Sequence, residues 1–456
     1  MVRGFIGYWA DPLATRAGRL LSFFLLYVSE GIPLGFTATV IATHMRREGL
    51  DPAVIGAYVG SLYLPWAFKW IFGPIVDTIT SDTFGRRRTW IVGAQIAMMV
   101  ALMAAMPIDF ATATGLFTAV IFVHNVCAAA QDVAIDALAV QVLPVEERGT
   151  ANGFMFGGQA VGQALGGSGI LLIGAALPFA STYFIAVGMM TLILVGVSWR
   201  LRERAAVPIP WSIDAEDVGR WTRIARELRE FLRAAWSAFI GTRAAALGVV
   251  FAALPLGAYA LSLSLQSNLA VELGLGDEAI GTLGLWSSLM SALGCVVGGW
   301  MSDRYGRRRM IALFVGLTAV PTICLALSMR AVGHIMPIDP TQLGIVADPG
   351  LVSTFRWLCI GYGFLQGLTY GSSTALFMDI TTPAVAATQF TAYMALGNLA
   401  TSYTATWQGV STVDFGYPTT LLLDAAVGML CIGLLPWLGP ARDSSKIGAT
   451  AAVTAT

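Results

Sequence analysis

The sequence predicts an all-α membrane protein with 12 transmembrane helices in two pseudo-symmetric six-helix bundles. Three observations predict it: the composition, the spacing of apolar runs, and an internal repeat. Of 456 residues, 56% are hydrophobic and 12% charged, with a mean hydropathy of +0.71. A soluble chain carries about 25% charge, so this much apolar surface has to face lipid. Lys+Arg and Asp+Glu both number 27; the net charge is zero, and no nucleic-acid partner is expected.

A crossing helix needs about 20 mostly apolar residues. Suitable runs fall at residues 19–43, 53–76, 89–108, 112–143, 150–177 and 180–200, then at 244–270, 279–301, 309–330, 352–381, 385–410 and 418–439. Residues 1–200 therefore form an N-terminal bundle and 244–440 a C-terminal one. A linker spans 201–243, and the tail at 441–456 is expected to be disordered. The first run has no cleavage site after a short apolar core and is expected to be a retained anchor. Only Arg46, Arg47, Arg330 and Arg356 of the 27 Lys/Arg fall on the side away from the termini, which places both termini and the linker in the cytoplasm. In the linker, Trp221, Ile224, Leu228, Phe231 and Ala235 share one face of an arginine-rich helix, as in helices that lie on a membrane surface.

The repeat joins the halves. "GPIVDTITSDTFGRRR" ends the second span and "GGWMSDRYGRRR" the eighth. Asp77 and Asp303 each follow a glycine by four residues and each precede Gly-Arg-Arg-Arg. The glycine is expected to allow close helix contact, and the acid and arginines to latch neighbouring helix ends. Spans three, six, nine and twelve read as nearly free of strong polar groups, whereas one, four, seven and ten carry them.

This doubled element resembles the signature of the major facilitator superfamily. Asp77 and Gly85 are eight residues apart, against three between Asp303 and Gly306. That insertion, with "AFKWIFGPIVD", "LYVSEGIPLGF", "AAAQDVAIDALAVQVLPVEERG" and "TTPAVAATQF", is similar to the branch of AmpG-type muropeptide permeases and acetyl-CoA transporters. Siderophore importers resemble the same branch. The resemblance implies a monomeric secondary transporter in the bacterial inner membrane, importing a large polar solute with protons. It also implies that spans one, four, seven and ten line a central cavity. A gate would then comprise Asp77, Arg86, Asp303, Arg307 and Asp379.

Ionisable groups at membrane depth are costly and functional or paired. At about 1.5 Å per residue, Glu30, Lys69, Asp132 and Asp136 lie at similar depth, and the two aspartates share one face of span four. One cation among three acids leaves an acid facing like charge, the setting in which a carboxyl holds its proton. These four are the expected coupling site, with a static ion-pair role as the alternative reading. Gly31 and Pro33 are expected to loosen the helix beside Glu30. Solute contacts are expected from Tyr63, Trp66, Asn125, Gln131, Gln163, Gln366, Tyr370 and Tyr393, whose rings stack and whose amides donate and accept. Asp424, near the end of a span, is expected to be solvated. Five cysteines in apolar runs and three scattered histidines point to no metal site, no cofactor motif is found, and a Walker loop is lacking. An acyltransferase using His124 with Asp132 and Asp136 would need a nucleophile that the run lacks, so no enzyme is expected.

Overall fold

The computed structural model describes residues 11–79, 84–144, 147–202, 220–240, 243–338, 348–380 and 386–438. Among these the regular elements are all helical. Span one runs Arg16–Arg47, span two is Pro52–Ala67 with Phe72–Thr78, and span three is Arg86–Ala105. Span four is Thr114–Val142, span five Arg148–Ala164 continued by Ile170–Gly174, and span six Phe179–Gly196. After the linker helix Arg220–Ile240, span seven is Arg243–Ala253 with Ser264–Glu272, eight is Asp277–Tyr305 and nine is Arg307–Val332. Spans ten, eleven and twelve are Pro349–Ile380, Ala386–Phe415 and Tyr417–Met429. Among the described residues, seven helices are long and apolar enough to cross a bilayer: spans one, three, four, six, eight, nine and twelve. The remaining five are interrupted (two, seven) or richer in glycine and polar side chains (five, ten, eleven).

The interruptions have local causes. Span two starts on Asp51, whose carboxylate accepts from Ala53 N at 2.8 Å, followed by Pro52 in the first turn. It breaks at Phe68 and passes through a 3₁₀ turn, Lys69–Ile71. A proline at 74 has no N–H for the carbonyl four residues back, which favours a break in the turn before it. Span one keeps helical form through Pro33 and absorbs the strain in a π turn, Phe36–Ile41.

Span seven, expected as one helix, is two. Pro255 lacks an N–H and Gly257 has φ +104°, a conformation open to glycine. The freed backbone groups find partners on other spans, as they must in a bilayer. Gly257 N donates to Gly428 O (3.2 Å), Ala258 N to Thr318 Oγ1 (3.1 Å), and Ala260 N to Asp424 Oδ2 (2.9 Å). Asp424 is therefore not solvated: it is 1% exposed, and its other oxygen accepts from Gln408 Nε2 at 2.6 Å.

Glycines set the helix contacts. A Cβ on Gly31 would lie 2.2 Å from Gln159 O, and on Gly35 2.2 Å from Gln163 O. Reciprocally, Gly158, Gly162 and Gly166 of span five rest on the carbonyls of Phe24, Val28 and Ile32. Gly31 thus serves close packing against span five, not the loosening expected from sequence. In the second half, Gly294 and Gly298 of span eight rest on the carbonyls of Phe364 and Leu368 of span ten, and Gly363, Gly367 and Gly371 of span ten on those of Ser287, Ser291 and Cys295. The glycines before the repeated acids, Gly73 and Gly299, have nothing within 4 Å of a built Cβ, so the close contact expected there is not found among the described residues. The conformationally demanding pair is Gly85 and Gly306, at φ 109° and 96°, each capping the arginine-led span that follows.

The halves join at the end away from the termini, termed here the distal end. Span two meets span eleven backbone to backbone: a Cβ on Gly56 would reach Ala405 O at 2.6 Å, and Ser402 Oγ donates to Gly60 O at 2.7 Å. Span five meets span eight where Gly281 and Gly284 face Ser168. The linker helix packs on Phe72–Thr78 and span eleven. Ile224 is buried and Trp221 is 75% exposed, so the single apolar face expected for this helix is split between protein and surroundings. The side chains of Phe231 and Ala235, the rest of the linker at 203–219 and the tail at 441–456 lie outside the described residues.

Candidate functional site

A charge cluster lies between spans one, two and four. Lys69 sits at the break in span two, where the helix tightens and its side chain turns towards span four. Its Nζ lies 2.7 Å from Asp132 Oδ2 and 3.9 Å from Asp136 Oδ2. Asp136 Oδ1 accepts from Tyr27 OH at 2.5 Å. The Asp136 side chain is 45% exposed and that of Asp132 is 5% exposed, so the cluster has a wet side and a dry side.

Glu30 is on the dry side. It is 1% exposed, within electrostatic reach of Asp132, Asp136 and Lys69, and neither carboxylate oxygen has a hydrogen-bond partner among the described residues. The residue before it is held firmly. Ser29 Oγ donates to Leu26 O (2.6 Å) and accepts from Gln95 Nε2 (2.8 Å) and Gln131 Nε2 (3.0 Å). Tyr27, Ser29 and Gln95 were not singled out in the sequence. Tyr27 and Ser29 flank Glu30 at i−3 and i−1, a signal that was available. Gln95 belongs to span three, which reads as apolar, and only packing reveals it.

The expected solute contacts divide. Tyr370 of span ten is 48% exposed and within electrostatic reach of Lys69, which brings the second half to the cluster. Gln163 is exposed, and Tyr63 and Gln366 are half-buried. Among the described residues, Trp66 is buried with its indole N–H unpartnered, and the Gln131 amide oxygen is unpartnered. Asn125 is 1% exposed and spends its amide N–H on Ile121 O, one turn back. Tyr393 stacks on Phe377 and its hydroxyl donates to Ala245 O at 3.3 Å; its ring is fully buried and does packing in this conformation.

At the terminal end, Arg86 and Arg307 open spans three and nine directly after the two positive-φ glycines. Arg87 Nη1 donates to Val76 O at 3.1 Å, tying span three to the end of span two. The side chains of Asp77, Asp303 and Asp379 lie outside the described residues. No group of three or more metal-ligating side chains occurs among the described residues. His124 is wholly buried, with no hydrogen-bond partner for either nitrogen among the described residues.

The sequence matches the family model described as Major Facilitator Superfamily over residues 20–405 and 247–454. It is 26% identical over 416 residues to the anhydromuropeptide permease of Escherichia coli K12, covering 89% of this chain and 76% of that one. It is 23% identical over 425 residues to an uncharacterized protein of Haemophilus influenzae, covering 92% and 94%. The inward-open xylose transporter XylE from E. coli shares the fold, with a TM-score of 0.66 and 13% identity over 96% of this chain and 100% of that chain. Family match, helical plan and structural likeness agree: the chain is a multi-pass membrane transporter, not an enzyme, and belongs to the Major Facilitator Superfamily.

Proposed function

We propose that the protein imports an anhydromuropeptide-like solute together with protons, using Glu30, Lys69, Asp132 and Asp136 as its coupling site. The observation that carries the reading is Glu30: a carboxyl buried without a donor, beside a lysine already paired to Asp132. Leaving a carboxylate charge unmet in such a place is expensive. Two things relieve it, a proton or the approach of Lys69. Lys69 cannot serve Glu30 and Asp132 equally, so a change of partner by the lysine is linked to proton movement between the acids. The half-exposed Asp136, held by Tyr27, is the group best placed to exchange protons with water.

The substrate class rests on the likeness to the anhydromuropeptide permease of E. coli; the cation, amides and half-exposed rings near the cluster are groups that suit a large polar solute. The protein would act as a monomer in the bacterial inner membrane, and the arginine asymmetry supports termini and linker in the cytoplasm. The bundles at 1–200 and 244–440 would rock about the cluster in alternating access. Their gate would be the repeated element with Asp77, Arg86, Asp303, Arg307 and Asp379.

The test is uptake into proteoliposomes under an imposed pH gradient, with anhydromuropeptide, acetyl-CoA and a ferric siderophore as parallel solutes. Gradient-driven uptake of the first alone is expected, abolished by Glu30→Gln and strongly reduced by Asp132→Asn. Unchanged pH dependence in both variants removes the coupling site; uptake of another solute instead removes the substrate.

A further inference from the structure

Another buried ion pair, Arg46 with Glu272, lies far from the coupling cluster. Arg46, in the last turn of span one, is 1% exposed, and Glu272, at the end of span seven, is 3% exposed. The Arg46 guanidinium donates to Glu272 Oε1, and Tyr417 OH donates to the same oxygen at 2.5 Å. Ile338 N donates to Glu272 Oε2 at 3.1 Å, and His334 Nε2 is 3.5 Å from that oxygen. Arg46 also donates to Ile338 O at 3.0 Å and to Leu50 O at 2.9 Å.

We propose that Glu272 is the keystone of the distal gate, a latch that closes the transporter by drawing span one of the first half onto four points of the second. One carboxylate collects span one through Arg46, span twelve through Tyr417, and the segment after span nine through Ile338 and His334. The elements come from both halves, so the latch cannot survive their separation at this end. It is also reversible in energy. A buried ion pair roughly breaks even against hydration, because the charges regain water when they part. An apolar seam of equal size would hold the gate shut. The polar interior behind the latch fits the same role. Asn268, one turn before Glu272 on the same face, is wholly buried with both amide atoms unpartnered among the described residues, as suits a side chain that meets water when the gate opens. A second pair, Arg47 to Asp277 at 2.5 Å, is more than a quarter exposed on each side and is the weaker, rim contact.

The test needs no solute and so stands apart from the coupling reading. Asn268→Cys is introduced, and the rate of its reaction with a bulky maleimide is followed by mass spectrometry on the purified full chain. Cys431, buried in the second half, is followed in the same samples as a measure of general loosening. Glu272→Gln is expected to raise labelling at 268 at least tenfold and Tyr417→Phe about threefold, with Cys431 unchanged and Asp277→Asn within twofold of the parent. The proposal is overturned if both latch variants stay within twofold at 268, or if labelling at Cys431 rises in step. Should Glu272→Gln not yield folded protein, Tyr417→Phe decides the matter alone.

Discussion

Replacing Gly31 with alanine tests the packing that places Glu30. The new Cβ would lie 2.2 Å from Gln159 O and 2.7 Å from Gln163 N, both rigid backbone atoms of span five. Real Cβ contacts begin near 3.0 Å, so spans one and five must part by roughly 1 Å, an overpacking cost of about 1–3 kcal/mol. The same change at Gly157, one position from the contact stripe, meets nothing within 4 Å. There alanine gains about 0.5–1 kcal/mol through its better helix propensity. Melting followed by a thiol-reactive dye in detergent should therefore show opposite signs: Gly31→Ala several degrees lower, Gly157→Ala equal or higher. Uptake per folded molecule should fall severalfold in the first alone, because Glu30 is displaced with its neighbour. A Gly31→Ala protein melting with or above the parent would refute the argument that backbone contact fixes this helix pair.

Three further outcomes are expected. Tyr27→Phe removes the donor to Asp136 and should lower uptake severalfold while costing at most about 1.5–3 kcal/mol of stability, the worth of one hydrogen bond to a charged group; thermal melting and uptake separate the two effects. Gly85→Ala and Gly306→Ala should each cost about 1–3 kcal/mol, since both backbones occupy a region nearly closed to other residues, and the losses should add in the double variant when melting is compared. Asp424→Leu leaves Ala260 N and Gln408 Nε2 without an acceptor, roughly 1–3 kcal/mol for each, and should cut the yield of monodisperse protein on size exclusion more than Asp424→Asn does.

Much of the fold was legible because lipid imposes a length and a polarity on each span. The repeat was legible because both copies keep a glycine for one backbone conformation, although the demanding glycines are Gly85 and Gly306 and not Gly73 and Gly299, which precede the acids. The level of Glu30, Lys69, Asp132 and Asp136 followed from counting turns. Their pairing did not, because helix rotation decides which acid meets the lysine. Tyr27 as partner of Asp136, and Gln95 reaching Ser29 from an apparently apolar span, depend on neighbours far apart in sequence. Glu272 escaped notice for a related reason: it lies six residues after Gln266 in a run whose break at Pro255 and Gly257 shifts every later residue away from its place in a straight helix. Asp424 was misplaced by the same break, since a carboxylate beside free backbone N–H groups has reason to be buried.

The backbone-to-backbone joint of spans two and eleven bears on how often the transporter can cycle. Gly56, Gly60 and Gly409 bring almost no side chains to that joint. Closing it freezes few rotamers, and opening it liberates few, so little conformational entropy is exchanged at each turn. A joint of long interlocking side chains would have to find one arrangement among many at every closure. Here the surfaces meet already in register, so the ordering cost of closing the distal end falls on the latch side chains Arg46, Glu272 and Tyr417 and not on this joint.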